Sequence, residues 1–132
     1  MTKEIWINLP VRDMDASRKF FAALGFTFND KYANPDMTCM LVGDKNVAVM
    51  LFSEKMFGGF IQHGIADTKK GCEVLLSVDA ETRQEVDDIA ARAEAAGGVV
   101  FGKPAEIQGW MYGCGFSDPD GHRWNFLYRD MK

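Results

Sequence analysis

Along most of the chain, apolar and polar residues alternate in short runs, and in two places the alternation gives way to helical spacing. In "DMDASRKFFAAL" (Asp13 to Leu24) the apolar positions Met14, Phe20, Phe21 and Leu24 approximate one helical face. Asp13 or Asp15 can cap its start, and Gly25 stops it. The second helix is expected in "ETRQEVDDIAARAEAAGG", Glu81 to Gly98. Val86, Ile89, Ala90 and Ala93 form its narrow buried stripe, acidic residues crowd the first turns, and Gly97-Gly98 ends it.

Strands are expected on either side. "EIWINLPV" precedes the first helix, and "FTFNDKY", "MTCMLVG" and "NVAVMLFS" follow it, with "GDKN" (Gly43 to Asn46) a hairpin turn. "CEVLLSVD" precedes the second helix, and "VVFGKP", "GWMYGCGFSD" and "HRWNFLYRD" follow it. The order β-α-β-β-β therefore occurs twice, a duplication also visible as strand end, acidic cap, helix, glycine and strand in both halves. The expected modules are residues 1–62 and 70–131 of a single 1–132 domain. The joining stretch 54–71, "EKMFGGFIQHGIADTKKG", reads as a linker with one helical turn, or as a mobile lid.

Composition adds exclusions. With 132 residues, 47% hydrophobic and 26% charged, the chain is an ordinary globular sequence. A net charge of −4 and scattered basic residues argue against a nucleic-acid partner. No run approaches the roughly 20 apolar residues that span a bilayer, and "MTKEIWINLP" lacks a signal-peptide pattern. No membrane association is expected, and the cytoplasm is the expected compartment. Cys39, Cys72 and Cys114 are odd in number and widely spaced, which fits reduced, inert thiols. His63 and His122 are the only histidines, so a structural zinc site is not expected.

Three segments carry a resemblance: "INLPVRDMDASRKFFAALGF" at the front, "SDPDGHRWNFLY" at the back, and the tandem βαβββ pattern between them. Together they resemble the vicinal oxygen chelate superfamily of glyoxalase I, bleomycin-resistance proteins and extradiol dioxygenases. "WINLPV" and "MYGCGFSDPDGHRWN" are most similar to its bacterial "predicted lactoylglutathione lyase" branch. The resemblance implies an α+β fold in which two modules curl mixed sheets into a cup that encloses a small-molecule site. It also implies a homodimer, side by side or with modules exchanged.

In metal-dependent members, the first and last strands of each module supply ligands to a divalent ion. Carried over, those positions fall on Trp6, Leu51, Glu73 and Asn125, with Asn8 as a neighbour on the first strand. Trp6 and Leu51 have no lone pair to give, and a neutral amide is a poor ligand for a hard ion. No metal ligands and no cofactor are therefore expected; a divalent metal belongs here only under a different register of these strands. The same positions become ligand-binding candidates, joined by Met111 and Tyr112 of "GWMYGCGF" as an apolar wall. Plainer roles are available too: Trp6 filling space, Met111 and Tyr112 packing on a neighbour, Glu73 facing water.

Glu73, on the same strand face as Leu75 and Ser77, is the candidate general base if that face lines the pocket. Asn125, an amide between Trp124 and Phe126, needs hydrogen-bond partners wherever it faces. The expected function is binding of a small, partly apolar ligand in the inter-module cup. The alternative is an enzyme of lyase, isomerase or dioxygenase type, metal-free with Glu73 as base or metal-dependent and lactoylglutathione lyase-like.

Overall fold

A computed structural model describes residues 1–130. The chain divides into two compact units, the first ending at Asp67 and the second beginning at Thr68. Each is a four-stranded mixed sheet with a helix on one face, and the whole is α+β with tandem βαβββ modules.

In the first unit β1 (Trp6–Val11) leads into α1 (Met14–Ala23), followed by β2 (Thr27–Asn34), β3 (Met37–Val42) and β4 (Val47–Ser53). The sheet order is β1-β4-β3-β2, with β1 parallel to β4 and the remaining pairs antiparallel. Asp13 caps α1 by accepting from the Ala16 amide at 3.1 Å. That helix buries Ser17, Phe20 and Phe21 against the sheet, where Val49, Leu51 and Met40 are also buried. Sinking each large apolar side chain is worth about 1.5–3 kcal/mol, so this face is the core of the unit. Arg18 ties the helix to the strands: Nη1 donates to Thr38 Oγ1 at 2.7 Å and pairs with Asp30 at 3.0 Å.

The second unit repeats the plan with β5 (Leu75–Ala80), α3 (Arg83–Ala95), β6 (Val99–Ile107), β7 (Met111–Ser117) and β8 (Arg123–Arg129), in the order β5-β8-β7-β6. Thr82 caps α3 by accepting from the Glu85 amide at 3.1 Å. Val86, Ile89, Ala90 and Ala93 are its buried stripe, as their spacing predicts. Pro104 is accommodated because β6 is an edge strand whose pairing with β7 shifts register between Gly102 and Ala105.

The stretch read as a linker with one helical turn is instead an eight-residue helix, α2 (Glu54–Ile61). Ser53 caps it by accepting from the Met56 amide at 3.3 Å, and Gln62 closes it in the left-handed conformation. Packing overrides the low propensity of Gly58-Gly59: α2 lies beside β1 and β4, and Phe60 meets Phe52 edge-on at 5.1 Å.

Between β7 and β8 the turn Ser117 to His122 is built around one carboxylate. Asp118 accepts from the amides of Asp120 (2.9 Å) and His122 (3.0 Å) and from Trp124 Nε1 (3.1 Å). Gly121 adopts φ +83°, and a Cβ there would collide with Thr68, whose hydroxyl donates to the Asp120 carbonyl at 2.6 Å. The motif "DPDGH" thus starts β8 and fixes where its pairing begins.

Candidate functional site

Each sheet has one face covered by its helix and one left open, and strand register decides which residues belong to which. In the first unit Trp6 pairs with Ala48, Asn8 with Met50 and Pro10 with Phe52. Cys39 lies beside Met50, so Trp6, Asn8, Met50 and Cys39 share the open face. Trp6 is 65% exposed, and its indole donates to Glu4 at 2.9 Å. Burial pushes the half-buried Cys39 thiol above its usual value, so it stays protonated.

Leu51 is on the other side. It pairs with Leu9 and Thr38, is 0% exposed, and belongs to the buried α1 face with Val49 and Met40. Its expected role as a ligand-binding position is corrected: side chains alternate along a strand, and Leu51 takes the core side of β4. The residues on the opposite face of β4 are Met50 and Phe52, the latter covered by Phe60 of α2.

In the second unit Asn125 pairs with Ser77 on β5 and Gly115 on β7, and Leu127 pairs with Gly113. Met111 lies on that same open face, two register steps beyond Gly113. Tyr112 does not. It alternates with Met111, its hydroxyl donates to Asp87 of α3 at 2.7 Å, and Arg83 lies 5.7 Å from its ring. That hydrogen bond pushes the Tyr112 hydroxyl above its ordinary value. Tyr112 therefore fastens helix to sheet and does not line the open face, correcting its expected role. Cys114 is likewise inward, its thiol pointing at the Val86 carbonyl and pushed up by burial.

Glu73 precedes the strand it was expected to join. Pairing of β5 with β8 begins at Leu75 opposite Arg123, because β8 itself begins only after the DPDG turn. Glu73 is exposed on the approach to β5, next to the exposed Cys72. It stands in water rather than against an apolar wall, so the surroundings that would make it a base are missing.

The floor around Asn125 is shaped by close packing. A Cβ at Gly115 would come within 2.5 Å of the Phe101 ring, so glycine there lets Phe101 lie across the sheet beside the amide. Arg123 stacks its guanidinium over that ring at 4.3 Å, and Leu127 covers Gly113. Asn125 Oδ1 is buried and has no hydrogen-bond partner. An unsatisfied buried acceptor costs about 1–3 kcal/mol and calls for a donor that comes from elsewhere. Ser77, Phe101, Arg123 and Leu127 were missed as neighbours of Asn125. The two on β8 were legible in the period-two spacing Arg123, Asn125, Leu127; the other two depend on pairing between strands.

A separate cleft of about 590 Å³ in the first unit lies between the start of α1 and the β2–β3 turn, lined by Asp13, Asp15, Arg18 and Asp30 among others. Its charged groups include the cap and the ion pair already described, and they hold α1 to its sheet.

The two four-stranded mixed sheets, each built from a βαβββ module, define the glyoxalase/bleomycin resistance fold. Residues 3–43 match the family described as Bleomycin resistance protein-like N-terminal. A hypothetical protein from S. aureus is 36% identical, with 97% of this chain and 94% of that one covered and a TM-score of 0.85. A glyoxalase/bleomycin resistance protein/dioxygenase family enzyme from Burkholderia phytofirmans PsJN shares 19% identity over 94% of this chain and 96% of that one, at TM-score 0.80. An antibiotic binding protein from Streptomyces sp. CB03234 shares 17% identity over 98% of both chains, at TM-score 0.67. The last two show likeness of fold alone. No curated protein matches by sequence. The chain therefore shares the fold of the glyoxalase/bleomycin resistance/dioxygenase proteins, and residues 3–43 carry the sequence likeness to a bleomycin resistance protein-like family.

Metal-dependent members of the superfamily that the sequence resembles hold a divalent ion, and the residues here do not fit one. The open-face residues named on β1 and β4 are Trp6, Asn8 and Met50, with no carboxylate or imidazole. The open-face β8 position Asn125 is an amide, and Glu73 lies before β5. Among the described residues, no three His, Cys, Asp or Glu side chains are grouped to hold an ion.

Proposed function

We propose that this protein binds a small, partly apolar molecule on the open face of its second sheet, and that the divalent-ion site of its family has been lost. The observation that carries the reading is the orphaned Oδ1 of Asn125, on a face where Phe101 lies against Gly115 and Leu127 against Gly113. Small-molecule sites are mostly apolar with a few polar groups that fix orientation, and this face has that make-up. A relative in fold is an antibiotic binding protein, and binding without turnover is what we assign here.

The enzymatic alternative requires an ion as Lewis acid or a desolvated base. Trp6 offers no ligand atom for the first and Asn125 only a neutral amide, and Glu73 is exposed. We further assign the protein to the cytoplasm as a homodimer. Free Cys39, Cys72 and Cys114 suit a reducing compartment, and no described helix is long and apolar enough to cross a membrane.

The test is elemental analysis of the purified protein together with a hemithioacetal turnover assay in added nickel or zinc. The expected result is well under one ion per chain and no turnover. One tightly held ion per chain, or metal-stimulated turnover that vanishes in Glu73→Gln, would overturn the reading.

A further inference from the structure

We infer that the ligand meets Asn125 through a paired donor–acceptor edge, that of a cis-amide such as a lactam or pyridone fused to an apolar ring. The inference rests on the open-face binding reading and adds to it the chemical class of the ligand. A primary amide carries an acceptor oxygen and a donor NH2 side by side in one plane. In Asn125 the oxygen is unpartnered, and no described residue is bonded to its nitrogen. A ligand that only donates or only accepts would answer half of the group, and a cis-amide answers both with two parallel hydrogen bonds.

The neighbours support a planar, uncharged partner. Gly115 on β7 places no side chain beside the amide, and the Phe101 ring takes up the space over that glycine. Leu127, two residues along β8, bounds the other side on the same face. Arg123 is already stacked on Phe101, and Ser77 contributes only a neutral hydroxyl. The inferred ligand is a flat bicyclic ring lying on the face that carries Phe101 and Leu127, with its amide edge turned to Asn125.

The probes are 2-quinolone, N-methyl-2-quinolone and 2-aminoquinoline, titrated calorimetrically into the full chain. For the wild type, 2-quinolone should bind about tenfold more tightly than its N-methyl analogue, which keeps the acceptor and lacks the donor. Asn125→Leu should abolish that difference. Asn125→Asp replaces the mixed edge by two acceptors, so it should favour 2-aminoquinoline, at a pH where its ring nitrogen is protonated, over 2-quinolone. Circular dichroism and urea midpoints check that both variants fold, and the comparison of the two quinolones needs no variant. Equal binding of the two by the wild type would overturn the inference and leave open-face binding standing. Failure of all three probes to bind would overturn both.

Discussion

Asp118 shows how much one residue can decide. It is 5% exposed, yet it gathers two backbone amides and the Trp124 indole. Burial pushes its carboxyl above the usual range, against the opposing pull of His122 and of the donated hydrogen bonds. The folded chain therefore holds this proton more tightly than the unfolded chain does. Its contribution to stability is full in acid and is lost as pH rises through the folded value. Asp118→Asn trades one acceptor for a donor facing Trp124, and should cost about 1–3 kcal/mol of stability. It should also remove this carboxyl's part of the pH slope. Urea unfolding of both proteins across the acid range would measure the two effects, and an unchanged midpoint would contradict the account. "DPDGH" was legible as a turn, but the trapped indole was not, because Trp124 reaches Asp118 only once β8 has folded back.

At the scale of elements, α2 is the segment where local sequence and observed structure disagree most. Two adjacent glycines each cost about 1 kcal/mol in a helix interior, and they argue for a linker. Ser53 at the start and Phe60 against Phe52 outweigh them. Two substitutions should move this helix in opposite directions. Ser53→Ala removes the cap and should weaken it by about 1 kcal/mol. Gln62→Gly relieves a left-handed residue at φ 51° and should strengthen it, by up to about 1 kcal/mol. Amide hydrogen exchange over Phe57 to Ile61 reads both changes. Faster exchange in Gln62→Gly would show that the helix is held by packing alone.

At the scale of the whole molecule, the uncovered edges and apolar side chains bear on assembly. Each four-stranded open sheet has two edges, and large apolar side chains stand in water: Trp6, Phe60, Val74 and Val99 are each more than half exposed. Edges and apolar surface of this kind need cover, and a second copy of the chain is the partner we expect. Light scattering at micromolar concentration should report a dimer. A monomer there would refute it. The exposed residues on β1 and at the start of β5 were legible as apolar, but nothing in a linear sequence says that they lack cover.

Apart from α2, the sequence alone determined the elements and their order. Helical spacing of Phe20, Phe21 and Leu24, the stripe Val86, Ile89, Ala90 and Ala93, and the turns at Gly43 and Gly121 are local facts. Local propensity and capping express them directly. Repetition of that pattern then implied two βαβββ modules. Tertiary structure alone decided which face each strand residue occupies. Leu51 went to the core, Tyr112 to α3, and Glu73 off the sheet, whereas Asn125 stayed on the open face with its oxygen unpartnered. The reason is the two-residue period of a strand. A slip of one position reverses every side chain, and the register that settles it is fixed by hydrogen bonds to strands distant in sequence.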